Sequence, residues 1–449
     1  MTHTLFSLPR LLLTALFASA LAHAEPPPAK APFESWLAAF NARDTDALTK
    51  LGPVTAKSAT EIDATGGLDI VRADVAGHVA MAFAKAKKDA RLFRIEFIVS
   101  SDQPPQPLML TLRPINALPK PTANGWQRVE GGPNTGCALG TAYHFYFRAA
   151  NPKKLAVHFQ GGGACWNSNT CNVGAKRWFD HSVDDRDDPT TKSGVLDVNR
   201  ADNPFKDYSI LFVPYCTADV HLGRRDATYT LQRPGGGEAK LNVRHNGANN
   251  VNDALAWLDR QMPTPEEVVV MGDSAGSIAS PVYATRLAAR FPKARVSQIG
   301  DGSGVYRSPL LAGTAANWSL PDVVRAEPAY RSLDPATLTH EQYYTLGAQF
   351  APRIRFAQIN YAEDAVQVSF LEQAGEKDIV PARLIRLGFE DIDREVKQHR
   401  SFTLPGKEHT ILLRPEFYTA VVDGVKLIDW VADHVRGNAV RNVGQSLLK

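Results

Sequence analysis

The 449-residue chain has no excess of charge of either sign: 50 basic residues stand against 47 acidic ones, for a formal net charge of +3. No run of like charges breaks this balance. That excludes the usual electrostatic footprint of a nucleic-acid groove or a polybasic membrane patch. Beyond the first two dozen residues no apolar stretch is long enough to cross a bilayer, so stable membrane insertion is not expected. Cysteine is scarce, with four in the chain. The four lack the paired CxxC spacing of zinc sites, and no histidine clusters with them, so neither a metal nor another cofactor is expected. The glycine-rich segment Gln160-Gly161-Gly162-Gly163-Ala164 runs into Cys165-Trp166 rather than Gly-Lys-Ser/Thr, which argues against a phosphate-cradling loop. Any partner must therefore be sought in a site.

What is present begins with an address. Arg10 precedes the apolar stretch Leu11 to Leu21, and Ala22-His23-Ala24 supplies the small-x-small pattern of a cleavage site. Residues 1–24 are expected to be a signal peptide, which sends the chain to the periplasm or the extracellular space, where cysteines pair. Residues 25–31 form a Pro-rich linker. Over 32–117 one helical pattern (Phe33, Trp36, Leu37, Phe40, running to Leu48) precedes short strand patterns at 68–71, 78–83, 92–99 and 108–112, a small α+β accessory module. This module holds no nucleophile-base pair, and it reads as a packing or substrate-docking appendage. The proline cluster Pro114 to Pro121 closes it.

From residue 122 to 449 the pattern alternates between strand and helix. Leu155 to Phe159, Ile210 to Pro214, Val268 to Met271, Val296 to Ile299 and Ile354 to Ile359 are short apolar runs of the kind buried in a parallel sheet. Val251, Ala254, Leu255 and Leu258 give one apolar helix face just before the Val268 strand. The expectation is a doubly wound, mostly parallel α/β sheet of the α/β-hydrolase kind, with ligands at the carboxyl ends of its strands.

Chemistry falls where that architecture requires it. The strand Glu267 to Met271 runs into Gly272-Asp273-Ser274-Ala275-Gly276 and then into a helix, the strand-turn-helix setting in which G-x-S-x-G presents an exposed serine. A serine hydroxyl needs a base, and the negative charge that develops on an attacked carbonyl needs backbone donors. Gly162 and Gly163, together with the amide of Ala275, are the expected oxyanion donors. His409, in the loop 404–410 before the last helical pattern, is the expected base; His399 sits in the charged stretch 390–400 and reads as a solvated helical residue. For the acid, Asp364 follows a strand, Asp378 lies in a loop that also suits the role, and Asp301 reads as structural. A serine peptidase on the same fold and a non-catalytic carbohydrate-binding protein are the competing readings.

Three blocks, Gly161-Gly162-Gly163-Ala164-Cys165-Trp166-Asn167 with Cys171, Val213-Pro214-Tyr215-Cys216-Thr217-Ala218-Asp219-Val220 and Gly272-Asp273-Ser274-Ala275-Gly276, resemble the pectin acetylesterase and Notum-like carboxylesterase family over about residues 122–440. The resemblance implies a serine carboxylesterase with a Ser274-Asp364-His409 triad and no metal. It favours Asp364 over Asp378 through an Asp-x-x-Gln setting matched by Asp364 and Gln367. Together with the spacing it implies the disulfides Cys165-Cys171 and Cys137-Cys216. Two departures, Gly163 where many relatives carry tryptophan and Ser277 where they carry a second glycine, point to a different pocket wall. For a chain read as a bacterial, exported member, a small-molecule or acylated-polysaccharide ester is the expected substrate, with acyl group and alcohol left open.

Overall fold

The computed structural model describes residues 26–449 except 121, 123, 124, 263, 308–312 and 314, so the expected signal peptide lies outside the described residues. Helix α1 (Lys30–Ala42) takes in Lys30 and Ala31, which the sequence reading assigned to the linker. Pro32 does not prevent this, because amides in a first helical turn have no intrahelical acceptor to lose. The single helix expected to reach Leu48 also divides. Arg43 turns left-handed at φ 58°, and the Asp44 carboxylate accepts from the Ala47 amide to open α2 (Thr45–Lys50).

Short helices α3 (Pro53–Lys57) and α4 (Ile62–Thr65) lead into an antiparallel meander, β1 (Leu68–Ala76), β2 (Val79–Ala86), β3 (Leu92–Val99) and β4 (Pro107–Ile115), paired in that order. Phe33, Trp36 and Phe40 of α1 cover one face of this sheet, packing with Ala80, Ala82, Phe93, Ile95 and Phe97. Strand β3 is buried on both faces. Its alternate residues point the other way, toward the rest of the protein: Ile98 joins an apolar cluster with Cys165, Cys171, Phe179 and Leu241, and Arg94 and Glu96 meet charged partners there.

The second sheet is built from β5 (Trp126–Glu130), β6 (His144–Arg148), β7 (Asn151–Phe159), β8 (Tyr208–Val213), β11 (Glu267–Asp273), β12 (Arg295–Asp301), β13 (Arg355–Tyr361) and β14 (His399–Leu404), in the order β14-β13-β12-β11-β7-β8-β6-β5. The strands from β7 and β8 through β14 run parallel; β5 and β6 form an antiparallel edge. A hairpin, β9 (Arg225–Gln232) and β10 (Glu238–His245), stands apart from it. The hairpin strands alternate buried and exposed residues instead of running apolar, and β5 and β6 are only five residues long; none of the four is among the strands expected from the sequence. Both faces of the sheet are covered, as alternation along β11 shows. Val268 and Val270 pack with α5 (Gly247–Gln261) and α6 (Ala275–Arg290), while Val269 and Met271 pack with the C-terminal helix at Leu427–Arg436. Strand order reverses between β7 and β11, and the crevice beyond the carboxyl ends of such a pair is where doubly wound sheets place ligands.

Candidate active site

Strands β7 and β11 are neighbours in parallel register, so the segments that leave their carboxyl ends, Gln160–Gly163 and Ser274, emerge side by side. Ser274 is held at φ 51°, ψ −118°, a backbone strain of the kind stored at functional turns. The flanking glycines are required by contact. A Cβ on Gly272 would lie 2.2 Å from the Gly276 carbonyl oxygen, and one on Gly276 would lie 2.0 Å from that of Phe159. The turn leaves the serine hydroxyl at the N-terminus of α6.

His409 Nε2 lies 2.7 Å from Ser274 Oγ, and its Nδ1 lies 2.7 Å from Asp364 Oδ2. Asp364 is fully buried and caps a helix, Ala365–Ala374: Oδ1 accepts from the amides of Val366 and Gln367, and Oδ2 accepts from the Gln367 side chain at 2.8 Å. The Asp-x-x-Gln spacing thus orients the carboxylate toward the histidine. Asp378 sits apart on an exposed turn at φ 53°. His399 departs from its expected place. It opens β14, is buried, and its Nδ1 lies 2.6 Å from Asp393, because the helix Pro381–Glu395 ends before it and the chain re-enters the sheet.

Gly162 and Gly163 form the rim beside the serine. A Cβ on Gly162 would lie 2.4 Å from Tyr215 Cδ1, and one on Gly163, at φ 76°, would lie 2.0 Å from the Trp178 carbonyl oxygen. Among the described residues, no hydrogen bond engages the amides of Gly162, Gly163 or Ala275. Ser277, the other departure from the family pattern, faces away from the cleft and shares a 2.6 Å hydrogen bond with Ser303.

Two buried carboxylates tie this assembly together: Asp273, to which the sequence assigns no role, and Asp301, which reads there as structural. Asp273 Oδ2 accepts from the Gly161 amide at 3.1 Å while Oδ1 lies 2.7 Å from His158 Nε2. Burial alone would push the Asp273 carboxyl up, but the hydrogen bond and charge of His158 hold it below its ordinary value. Its register partner on the next strand, Asp301, accepts from the amides of Ile411 and Leu412 and so anchors the loop that carries His409. The available signal was position: both residues end inner strands.

The Pro214-to-Val220 block backs the glycines. Asp219 accepts from the Thr217 hydroxyl at 2.6 Å and from the Gly247 amide at 2.7 Å. Burial still pushes its carboxyl up to about 7 from an ordinary 3.8. The folded chain keeps a proton that the unfolded chain has released, so this group's contribution to stability is complete below pH 3.8 and is lost as pH rises through 7. Asp219→Asn is therefore expected to cost more stability at pH 5 than at pH 8, by at least about 1 kcal/mol. Urea unfolding at the two pH values checks this; a cost that grows with pH would contradict it.

The disulfides are Cys137–Cys216 and Cys165–Cys171. Two clefts meet at Ser274 and share Gly163 and Phe370. One, of about 740 Å³, is walled by Trp166, Ile278, Tyr306, Trp318 and Leu338; the other, of about 920 Å³, is more open and carries Lys176, Arg177, Trp178 and His409. Among the described residues no group of three or more metal-ligating side chains converges.

Residues 130–359 match the pectinacetylesterase family model. The chain is 26% identical over 167 residues to the palmitoleoyl-protein carboxylesterase NOTUM of Schmidtea mediterranea, and 27% identical over 161 residues to palmitoleoyl-protein carboxylesterase notum2 of Xenopus laevis. These matches cover 36% and 34% of this chain and 30% of each relative, so the shared part is about a third of the length of either curated protein. In fold the chain is similar to the Wnt deacylase Notum from Drosophila, with a TM-score of 0.50 and 16% identity over 71% of this chain and 96% of that one. With the family match covering just over half of its residues, the chain belongs to the pectinacetylesterase family.

Proposed function

We propose that this protein is an exported serine carboxylic-ester hydrolase. The observation that carries the reading is the Ser274-His409-Asp364 relay, with both contacts at 2.7 Å, beside three unengaged backbone amides. Ser274 Oγ attacks the ester carbonyl as His409 Nε2 takes its proton. Asp364 holds the imidazole in the tautomer with its proton on Nδ1 and stabilises the imidazolium. The amides of Gly162, Gly163 and Ala275 receive the oxyanion. His409 returns the proton to the departing alcohol, leaving an acyl-enzyme that water, activated by the same histidine, hydrolyses.

The two clefts support a division of labour, with the acyl group in the apolar cleft and the alcohol along the open groove. There Lys176 Nζ lies 3.8 Å from the centroid of the Trp178 ring. An aromatic face beside a cation suits a sugar bearing a carboxylate, which favours an acylated polysaccharide as substrate. Two disulfides fit an oxidising compartment and support the signal peptide at 1–24 and a mature chain that begins near Glu25. The separate four-stranded sheet with its own apolar cluster supports a division into an accessory module over 32–117 and an esterase domain over 122–449.

The test is a panel of short-chain, long-chain and acetylated-polysaccharide esters, with matched peptides, assayed on the mature chain with and without a chelator. Ester turnover is expected to exceed peptide turnover by orders of magnitude, to be unchanged by chelation, and to disappear after fluorophosphonate treatment. Faster peptide cleavage would make the protein a peptidase. Failure of Ser274 to label would favour a non-catalytic carbohydrate-binding protein.

A further inference from the structure

The two glycines of the rim have no side chains with which to hold themselves in place. On one side Asp273 fixes Gly161. On the other, the segment 178–180 pairs with them: the Asp180 amide donates to the Gly162 carbonyl at 2.8 Å, and the Ala164 amide donates to the Trp178 carbonyl at 3.1 Å. Among the described residues that segment has no strand neighbour beyond this short bridge; Trp178 packs on Phe370, and the charged contacts of its two ends reach the N-terminal module. Glu96, on the outward face of β3, lies with one carboxylate oxygen 2.8 Å from His181 Nε2 and the other 3.3 Å from Arg177 Nη1. Arg177 in turn donates to Asp180 at 3.0 Å and to the Phe179 carbonyl at 3.4 Å. Arg94, two residues away on the same face, binds Asp184 at 2.6 Å and also Asp185. Phe179 packs against Val79, Ile98 and Leu108 of the module.

We infer that the N-terminal module is a positioning element for the backbone donors of the site, acting through the buried carboxylate of Glu96. The carboxylate accepts from Arg177 at one end of the segment 177–181 and lies in ion-pair contact with His181, without a hydrogen bond, at the other, and that segment sets the plane of the Gly162–Gly163 peptide. Although burial opposes the charge, His181 and Arg177 hold the carboxyl down at about 2, so it stays ionised across the working range. A group that acts on the orientation of oxyanion donors alters the transition state more than the bound ester, because the full charge develops only there.

This inference rests on the esterase reading, and the experiment separates the two. Wild type and Glu96→Gln are compared for kcat, KM, thermal midpoint, and affinity for an arylboronic acid, whose tetrahedral serine adduct mimics the oxyanion. Glu96→Gln keeps the volume and removes the charge. It is expected to lower kcat by about 10- to 100-fold, the range for a small misplacement of reacting groups, and to weaken the boronate by a similar factor. KM should stay within about twofold, and the protein should remain folded at the assay temperature. A loss confined to KM or to the thermal midpoint, or a boronate affinity that does not follow kcat, overturns the positioning role. Should Glu96→Gln unfold, Glu96→Asp, which keeps the charge one methylene short, carries the same comparison. A wild-type protein that neither hydrolyses esters nor binds the boronate defeats the functional reading; an active wild type matched by its variant defeats only the inference drawn from Glu96.

Discussion

Ser274→Ala and His409→Ala are each expected to lower ester turnover by about 10⁴-fold or more while leaving the fold intact, and the double variant should be little worse than either alone. The reason is geometric. With the base 2.7 Å from the hydroxyl and the acid 2.7 Å from the base, each group works only through the next. Asp364→Asn should cost about as much, because the asparagine NH2 would face either His409 Nδ1 and the Gln367 side chain together or the backbone amides of Val366 and Gln367, and all of these groups already donate there. The histidine would then be driven into the wrong tautomer. Asp378→Asn, on its exposed turn, should stay near wild type. Single-turnover and steady-state assays, with circular dichroism as the folding control, decide it. Substantial turnover in Ser274→Ala, or an Asp378→Asn variant as damaged as Asp364→Asn, would remove the triad assignment.

The second large effect concerns the disulfides, whose roles should separate. Cys137–Cys216 spans 79 residues of sequence and joins the approach to β6 to the loop after β8. Loop-closure arithmetic gives about 4–5 kcal/mol for a loop of that length. Cys165–Cys171 spans only 6 residues, for which the same arithmetic gives about 2 kcal/mol. This short loop begins two residues after Gly163. The Cys165 amide donates to the Ala218 carbonyl, and its own carbonyl accepts from the Trp318 indole, so the bridge shapes the rim of the apolar cleft. Replacing Cys137 and Cys216 should therefore lower the unfolding free energy with turnover per folded molecule little changed, whereas replacing Cys165 and Cys171 should lower turnover more than stability. Denaturant unfolding alongside kinetics tests both. The reverse pattern would show that the short bridge is the structural one.

Much of the candidate site is legible in the chain because segments at strand ends leave short local patterns. The serine elbow needs glycine on both flanks for contact reasons that operate within five residues, and the rim glycines follow directly on a strand. Asp364 was harder to reach, since two carboxylates stood in plausible loops. What distinguishes them is burial and the hydrogen bond from the Gln367 side chain, and only the second of these leaves a trace in the sequence, as the Asp-x-x-Gln spacing. His399 was misplaced because the charged pattern of the preceding helix runs on past its true end. The buried carboxylates of Asp273 and Asp301 carried no motif of their own.

By itself the sequence determined the alternation of strand and helix, the apolar faces, the nucleophile turn and the candidate base, because periodicity and tight-turn sterics act between near neighbours. Tertiary structure decided what depends on distance between remote segments. It placed β7 beside β11 so that the glycines and the serine share one crevice, and it set Asp301 under the histidine loop. It also turned one face of β3 inward against the catalytic unit, so that Glu96 reaches Arg177, 81 residues further along the chain. Such pairings follow from the packing of whole layers around shared cores, which no local window of residues contains.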